Sequence, residues 1–221
     1  MMAILLSLTL FASEAKKSET KYIASVVPPK MSVATKKKRF YALLVPAVNK
    51  VYEELQEQFR NISKDLEHGT NPQKIAELKA IYKVDTDEEL LLALMPHPRS
   101  IALAQAAMES SWATSRFFVE ANNIFGMWST SKNEPRIAAS EKRGGTRTIW
   151  LRKFNTIEES IKAYYRMMGR GQAYKEFRKV RFESDDVFEI IKKLNNYSEI
   201  KEKYAVELAS IIRYNKLTKY D

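Results

Sequence analysis

Apolar positions step by three and four along residues 48–66. Val48, Val51, Tyr52, Leu55, Phe59, Ile62 and Leu66 make one stripe, the mark of a long amphipathic helix packed on a core. His68-Gly69 ends it, because glycine tolerates the left-handed turn that closes a helix. Asn71-Pro72 opens a second helix, with proline at the first position where an N–H has no helical partner anyway. Thr86 with Glu89, ahead of Leu90-Leu91-Leu92, is a capping box, and Pro96 closes that helix. Ser100 is the expected cap of an alanine-rich helix running to about residue 118. Thr156 with Glu159 repeats the box and opens a helix with Ile157, Ile161, Tyr164 and Met168 on one face. Ser184 with Asp185-Asp186 starts another. A last helix over about residues 200–215 turns Tyr204, Leu208, Ile211 and Ile212 inward.

The helical period vanishes between Trp128 and Phe154. Gly144-Gly145 separates Ile137-Ala138-Ala139 from a stretch in which Thr148, Trp150, Arg152 and Phe154 alternate with Ile149 and Leu151. That pattern predicts a small hairpin. The expected fold class is mainly α (α+β), a helical body with a small β-hairpin lobe after its central helix.

Three stretches of chain are expected. Residues 1–15 read as a signal peptide, because an apolar run over residues 3–12 precedes the small residues Ser13 and Ala15. Residues 16–39 read as a basic flexible linker, with Pro28-Pro29 and the run Lys36-Lys37-Lys38-Arg39 as either a polyanion tether or solvated chain. Residues 40–221 then form one folded domain, a length that fills a single core.

Composition narrows the chemistry. The 221 residues carry a formal charge of +10, and residues 131–181 hold about +9 of it. Such a chain favours an anionic partner: nucleic acid, anionic lipid or an acidic cell-wall polymer. With no cysteine and only His68 and His97, thiolate sites, disulfides and multi-histidine metal sites are excluded. Both histidines adjoin turn signals, which favours loop-packing or surface roles over membership of a catalytic triad.

Glu109 is the candidate acid. Ile101, Ala104 and Met108 share the core face of its helix, whereas Glu109 neighbours Gln105 and Ala106 one turn back and Trp112 and Ala113 one turn on. A covered carboxyl among small and aromatic groups has a raised pKa, which a glycosidase needs to protonate a leaving oxygen. A surface glutamate on an alanine-rich helix satisfies the same spacing.

Ala104-Gln105-Ala106-Ala107-Met108-Glu109-Ser110-Ser111-Trp112, then Thr114-Ser115-Arg116-Phe117, then Asn122-Asn123-Ile124-Phe125-Gly126-Met127-Trp128 resemble the signature of the glucosaminidase domains of glycoside hydrolase family 73. The wider chain, from about residue 40 to the C-terminus, resembles the Bax-like branch of that family. The resemblance rests further on Leu44-Val45-Pro46-Ala47-Val48, Phe154-Asn155-Thr156, Ser160-Ile161-Lys162-Ala163-Tyr164, Tyr197-Ser198, Tyr204 and Ile211-Ile212-Arg213-Tyr214-Asn215-Lys216-Leu217.

The resemblance implies a lysozyme-like helical domain with a groove for a glycan. It implies a peptidoglycan hydrolase that cleaves β-1,4 bonds after N-acetylglucosamine. Glu109 occupies the general-acid position. Trp112, Asn123 and Phe125 match groove positions, with Gln105 counted beside them as substrate-binding. Tyr164 matches a groove-facing tyrosine that either binds substrate or orients its acetamido group. Each has an ordinary alternative: Trp112 as a core aromatic, Asn123 as a turn clamp, Phe125 as partly structural and Tyr164 as a buried tyrosine. Tyr165 and Tyr197 are weaker candidates.

For a second carboxylate the β lobe offers Glu134 and Glu141, and Glu141 is preferred. The substrate's own acetamido group is the other route. No cofactor and no metal is implied. The expected partner is the peptidoglycan glycan strand, with no nucleic acid, since no recognised binding motif is present. Membrane contact is expected only through the N-terminal signal segment, and the location is exported, in the periplasm or cell envelope. Two rivals remain: a lytic transglycosylase or muramidase of the same fold, and a non-catalytic wall-binding protein.

Overall fold

The computed structural model describes residues 22–139, 148–195, 197 and 202–221. The segment read as a signal peptide, the Gly144-Gly145 turn and Glu141 lie outside the described residues.

Helix α1 spans Val33–His68. Ser32 caps it by accepting from the Thr35 N–H, and Gly69 closes it at φ 66°, a conformation glycine adopts without strain. It begins well inside the stretch read as linker. The reason is long-range: Arg39 is fully buried, and its guanidinium donates to the carbonyls of Ala113 (2.5 Å), Ala24 (2.7 Å) and Ile23 (3.1 Å). Lys37 donates to Asn215 Oδ1 at 2.7 Å and lies over the rings of Trp112 and Tyr214. The end of the basic run is therefore part of the folded body and not solvated linker.

Helices α2 (Pro72–Tyr82) and α3 (Asp87–Leu94) follow where proline and the first capping box place them. They build a small side core of Ile62, Leu78, Tyr82, Leu90, Ala93 and Leu94 at the far end of α1.

Helix α4 (Arg99–Glu109) is the axis of the molecule, with every residue from Ser100 to Ala107 buried. Ser100 does not cap it. Pro98 precedes the helix, the Ser100 hydroxyl is buried without a partner among the described residues, and the Ser100 N–H is taken by the Asp221 carboxylate at 2.7 Å. A negative charge at a helix start is favourable, so the last residue of the chain does the capping.

The helix also stops at Glu109 instead of running to residue 118. Ser111, Trp112 and Ala113 all adopt left-handed backbone, with φ of 50°, 61° and 62°, at a cost of about 1–2 kcal/mol per residue. The Ser110 hydroxyl bonds the Ala106 carbonyl and the Ala113 N–H, and Arg39 holds the Ala113 carbonyl. Helix α5 (Arg116–Ala121) restarts from the Ser115 cap.

The β lobe comes next. Strands β1 (Arg136–Ala138) and β2 (Trp150–Arg152) pair antiparallel, with Ile137 opposite Leu151. Residues 127–129 line the other edge of β2, bridging Trp128 to Leu151. Arg136 and Arg152 stand directly opposite, a repulsive pairing, but Arg136 lies over Trp150 and Arg152 pairs with Glu134 at 3.0 Å.

Helix α6 (Ile157–Arg170) opens on the second capping box, with the Glu159 N–H donating to Thr156 and the Asn155 N–H to Glu159. Ile161, Tyr164, Tyr165 and Met168 are buried, each contributing about 1.5–3 kcal/mol of burial. Gly169 lets α6 close on its neighbours, since a Cβ there would stand 2.6 Å from the Ala93 carbonyl and 2.7 Å from the Tyr82 ring. Helices α7 (Lys175–Glu183), α8 (Val187–Ile191) and α9 (Glu202–Tyr214) complete the body, α9 packing on α4. Helix α7 has no counterpart in the sequence reading; its buried residues include Arg178 and Arg181, which break the apolar stripe.

Candidate active site

A groove of about 1200 Å³ runs between the β lobe and the helical body. Phe125, Met127, Trp128, Glu134 and Arg152 line the lobe side. Lys162, Ala163, Arg166, Met167 and Arg170 of α6 line the other, and Glu109, Tyr174 and Tyr197 complete the lining.

Glu109 reaches this groove from the last residue of α4. Burial raises its pKa, and a hydrogen bond from Tyr204 partly opposes the rise. The negative end of the α4 dipole acts in the same direction as burial. The carboxyl is thus biased toward its protonated form, the state of a general acid.

Behind Glu109 stands a buried hydrogen-bonded chain. Tyr204 donates to Glu109 Oε1 at 3.1 Å. Gln105 Nε2 donates to Tyr204 at 2.9 Å, and the Tyr164 hydroxyl donates to Gln105 Oε1. Tyr164 Oη also lies 2.8 Å from His97 Nε2. A phenol has one proton, and Tyr164 gives it to Gln105. His97 Nε2 must then donate, which fixes the tautomer and leaves Nδ1 bare. That Nδ1 is buried without a partner among the described residues. Burial holds the imidazole pKa well below its usual value, so the ring is neutral.

The chain decides the fate of several sequence candidates. Tyr164 is fully buried beneath Phe125, the rings stacked at 3.9 Å and 10°. It does not face the groove, because it shares the core face of α6 with Ile161 and Met168. Gln105 is likewise fully buried, its amide spent on two tyrosines; it orients Glu109 through Tyr204 and has no surface for substrate. Trp112 is turned away from the groove into edge contacts with Phe40 and Tyr41. Asn123 is a clamp: its amide donates to the Met127 and Arg152 carbonyls and accepts from the Met127 N–H. It shapes the groove by fixing the two segments that carry Met127, Trp128 and Arg152. Asn122, at φ 48°, ties α5 to the Phe154 and Asn155 carbonyls in the same way. Of the substrate-binding candidates, only Phe125 lines the groove.

Two further carboxylates line the groove among the described residues, Glu159, which caps α6, and Glu134 on the β-lobe side. A hydrogen bond from Ser129 and the nearby Arg152 hold its pKa below the usual carboxylate value. The groove therefore pairs one carboxyl pushed up with one held down, the division expected of an acid and an ionised partner. Tyr174, Tyr197 and Tyr204 form a belt beside Glu109, with Tyr197 stacked on Tyr204 at 5.2 Å. No group of His, Cys, Asp and Glu among the described residues is placed to hold a metal ion. The role of Tyr204 was readable only in part: its helix pattern turned it inward, but its partner Gln105 lies on another helix and 99 residues away.

Residues 88–217 match the glucosaminidase family, described as mannosyl-glycoprotein endo-beta-N-acetylglucosaminidase. The chain belongs to this family. Protein bax of Escherichia coli (strain K12) is 33% identical over 84 residues, covering 38% of this chain and 28% of that protein. This chain thus matches less than a third of the length of that curated relative. The catalytic domain of the autolysin Auto from Listeria monocytogenes superposes with a TM-score of 0.54 at 16% identity, covering 87% of this chain and 92% of that chain. A glycoside hydrolase domain of FlgJ from Salmonella typhimurium gives a TM-score of 0.44 at 21% identity, over 64% and 95% of the two chains. The family domain of this chain has the lysozyme-like fold, a helical body with a small β lobe.

Proposed function

We propose that this glucosaminidase is a peptidoglycan hydrolase that cuts the β-1,4 bond after N-acetylglucosamine, with Glu109 as general acid. The observation that carries the reading is Glu109 in the wall of a glycan-sized groove, desolvated and held by Tyr204. The family supports a glycosidic bond to N-acetylglucosamine.

In this reaction Glu109 gives its proton to the glycosidic oxygen as the C1–O bond breaks, and positive charge develops on the sugar ring. Glu134, held ionised, is the group that stabilises that charge or activates the incoming water. The exposed Trp128 ring at the groove mouth and Phe125 in its wall supply apolar faces for sugar rings. Action on a wall polymer places the chain outside the cytoplasm, in line with the apolar segment at residues 3–12.

The test is digestion of purified peptidoglycan by the full chain and by Glu109→Gln, with mass spectrometry of borohydride-reduced products. Reduced N-acetylglucosamine ends, lost in the variant, are the expected result. Muramic or anhydromuramic ends move the chain to a muramidase or lytic transglycosylase activity. Binding without products in either protein leaves a wall-binding role.

A further inference from the structure

The groove is not electrically neutral, and its imbalance sits on one edge. Arg166 and Arg170 lie one helical turn apart on α6, both exposed and both lining the groove. Side chains at this spacing are neighbours, so the two guanidinium groups repel. The other groove cations are matched. Arg152 pairs with Glu134 at 3.0 Å and Lys162 with Glu54 at 2.5 Å. The groove carboxylates are engaged as well: Glu159 in its cap, Glu134 with Arg152, and Glu109 with Tyr204. Arg166 and Arg170 have no ion pair among the described residues. Met167 lies between them and Ala163 one turn before Arg166 on the same helix, and both add apolar lining to that wall.

A strand of N-acetylated sugars offers these arginines only neutral hydroxyl and amide acceptors, because its rings and amides carry no charge. In peptidoglycan the anionic groups hang from the sugars, as carboxylates of the attached peptide stems. A guanidinium binds a carboxylate through two parallel N–H donors. We propose that Arg166 and Arg170 form a carboxylate-binding edge that recognises the peptide stems of the substrate and makes the enzyme prefer stem-bearing strands. This rests on the peptidoglycan reading above and names the part of the polymer that the groove selects.

The edge also explains why the positive charge is not simply spread for solubility. The apolar wall is shared by any glucosaminidase substrate, whereas the edge rewards only a strand with acid groups beside its sugars. Neutral chitin-type oligosaccharides, with the same linkage, are expected to bind more weakly.

The experiment uses the full chain carrying Glu109→Gln, so that ligands are not consumed. Two soluble ligands are compared by titration calorimetry at low salt: a stem-bearing tetrasaccharide fragment with free stem carboxylates, and the same fragment with those carboxyls converted to amides. The carboxylate form is expected to bind about tenfold more tightly, from two exposed charge contacts of up to about fivefold each. Adding Arg166→Ala and Arg170→Ala should abolish the difference, leave binding of the amide form within about twofold, and leave the melting temperature unchanged, since both side chains are exposed. Equal affinity for the two ligands, or a preference that survives the double substitution, overturns the proposal. Hydrolysis by the unsubstituted chain is read alongside. Products without a carboxylate preference remove the stem edge and leave the hydrolase. A carboxylate preference without products leaves stem recognition standing and removes the hydrolase.

Discussion

Tyr204 donates its only proton to Glu109, across 3.1 Å, while its oxygen accepts from Gln105. The bond favours the carboxylate and pulls the Glu109 pKa down against the effect of burial. Removing it in Tyr204→Phe therefore lets that pKa climb further. A general acid must be protonated to work, so activity falls as pH rises through its pKa. The high-pH limb of the kcat/KM profile is expected to move to higher pH in Tyr204→Phe, with a lower rate at the optimum. The variant should also lose about 1–3 kcal/mol of stability, because Gln105 Nε2 is left buried without an acceptor. An unmoved limb means that Tyr204 has no electrostatic hold on the acid.

Glu109→Gln should lower the rate by about 10²–10⁴-fold, the usual contribution of general-acid catalysis. It should also raise the melting temperature at neutral pH. The folded-state pKa of Glu109 is raised above its ordinary value of 4.5. Its contribution to stability is then fully present below that value and lost as pH rises through the folded pKa. The neutral amide never incurs this loss. Thermal unfolding followed from pH 4 to pH 8 should show the variant's advantage shrinking at the acid end.

His97 works in the opposite direction. Its folded pKa lies well below the ordinary 6.5 because the ring is buried. The stability tied to the neutral ring is complete above pH 6.5 and declines as pH falls below it, since the unfolded chain takes up the proton first. His97→Gln keeps an amide N–H to face Tyr164 and carries no titrating group. Its melting temperature should therefore depend less steeply on pH between 7 and 5 than that of the parent, measured by calorimetry.

Gly169→Ala tests the closeness of α6 to the side core. The added methyl meets a backbone carbonyl at 2.6 Å, and helical backbone yields little. Overpacking of this kind costs about 1–3 kcal/mol, at about 2–4 °C of melting temperature per kcal/mol for a domain of this size. Activity at low temperature should survive, because Gly169 lies on the face of α6 toward Tyr82 and Ala93 and not on the groove.

The capping boxes were read correctly, whereas the Ser100 cap and the end of α4, both decided by residues far along the chain, were not. Thr86 with Glu89 and Thr156 with Glu159 specify helix starts within four residues, and both helices begin there. The hairpin pairing followed from alternation around Trp150 and Leu151. The end of α4 did not follow, because no glycine or proline marks it. It is set by three left-handed residues, the last of which, Ala113, Arg39 holds from 74 positions away. The site shows the same division. The neighbours of Glu109 on its helix left a surface glutamate as an open reading, and the family resemblance singled it out; the structure places it in the groove lining. Tyr164, Gln105 and Asn123 belong to the site's support and not to its surface, a distinction set by which helix covers them. Tyr164 already shared an α6 face with Ile161 and Met168 in the sequence, and that pattern was the better guide to its place.

Arg39 has one more consequence. A single guanidinium grips the chain at Ile23 and Ala24 and, on its other side, Ala113, four residues past the acid. Force applied to the chain at Ile23 and Ala24 would pass through that grip to the left-handed loop after α4, so the segment ahead of α1 and the loop beside Glu109 are mechanically one unit.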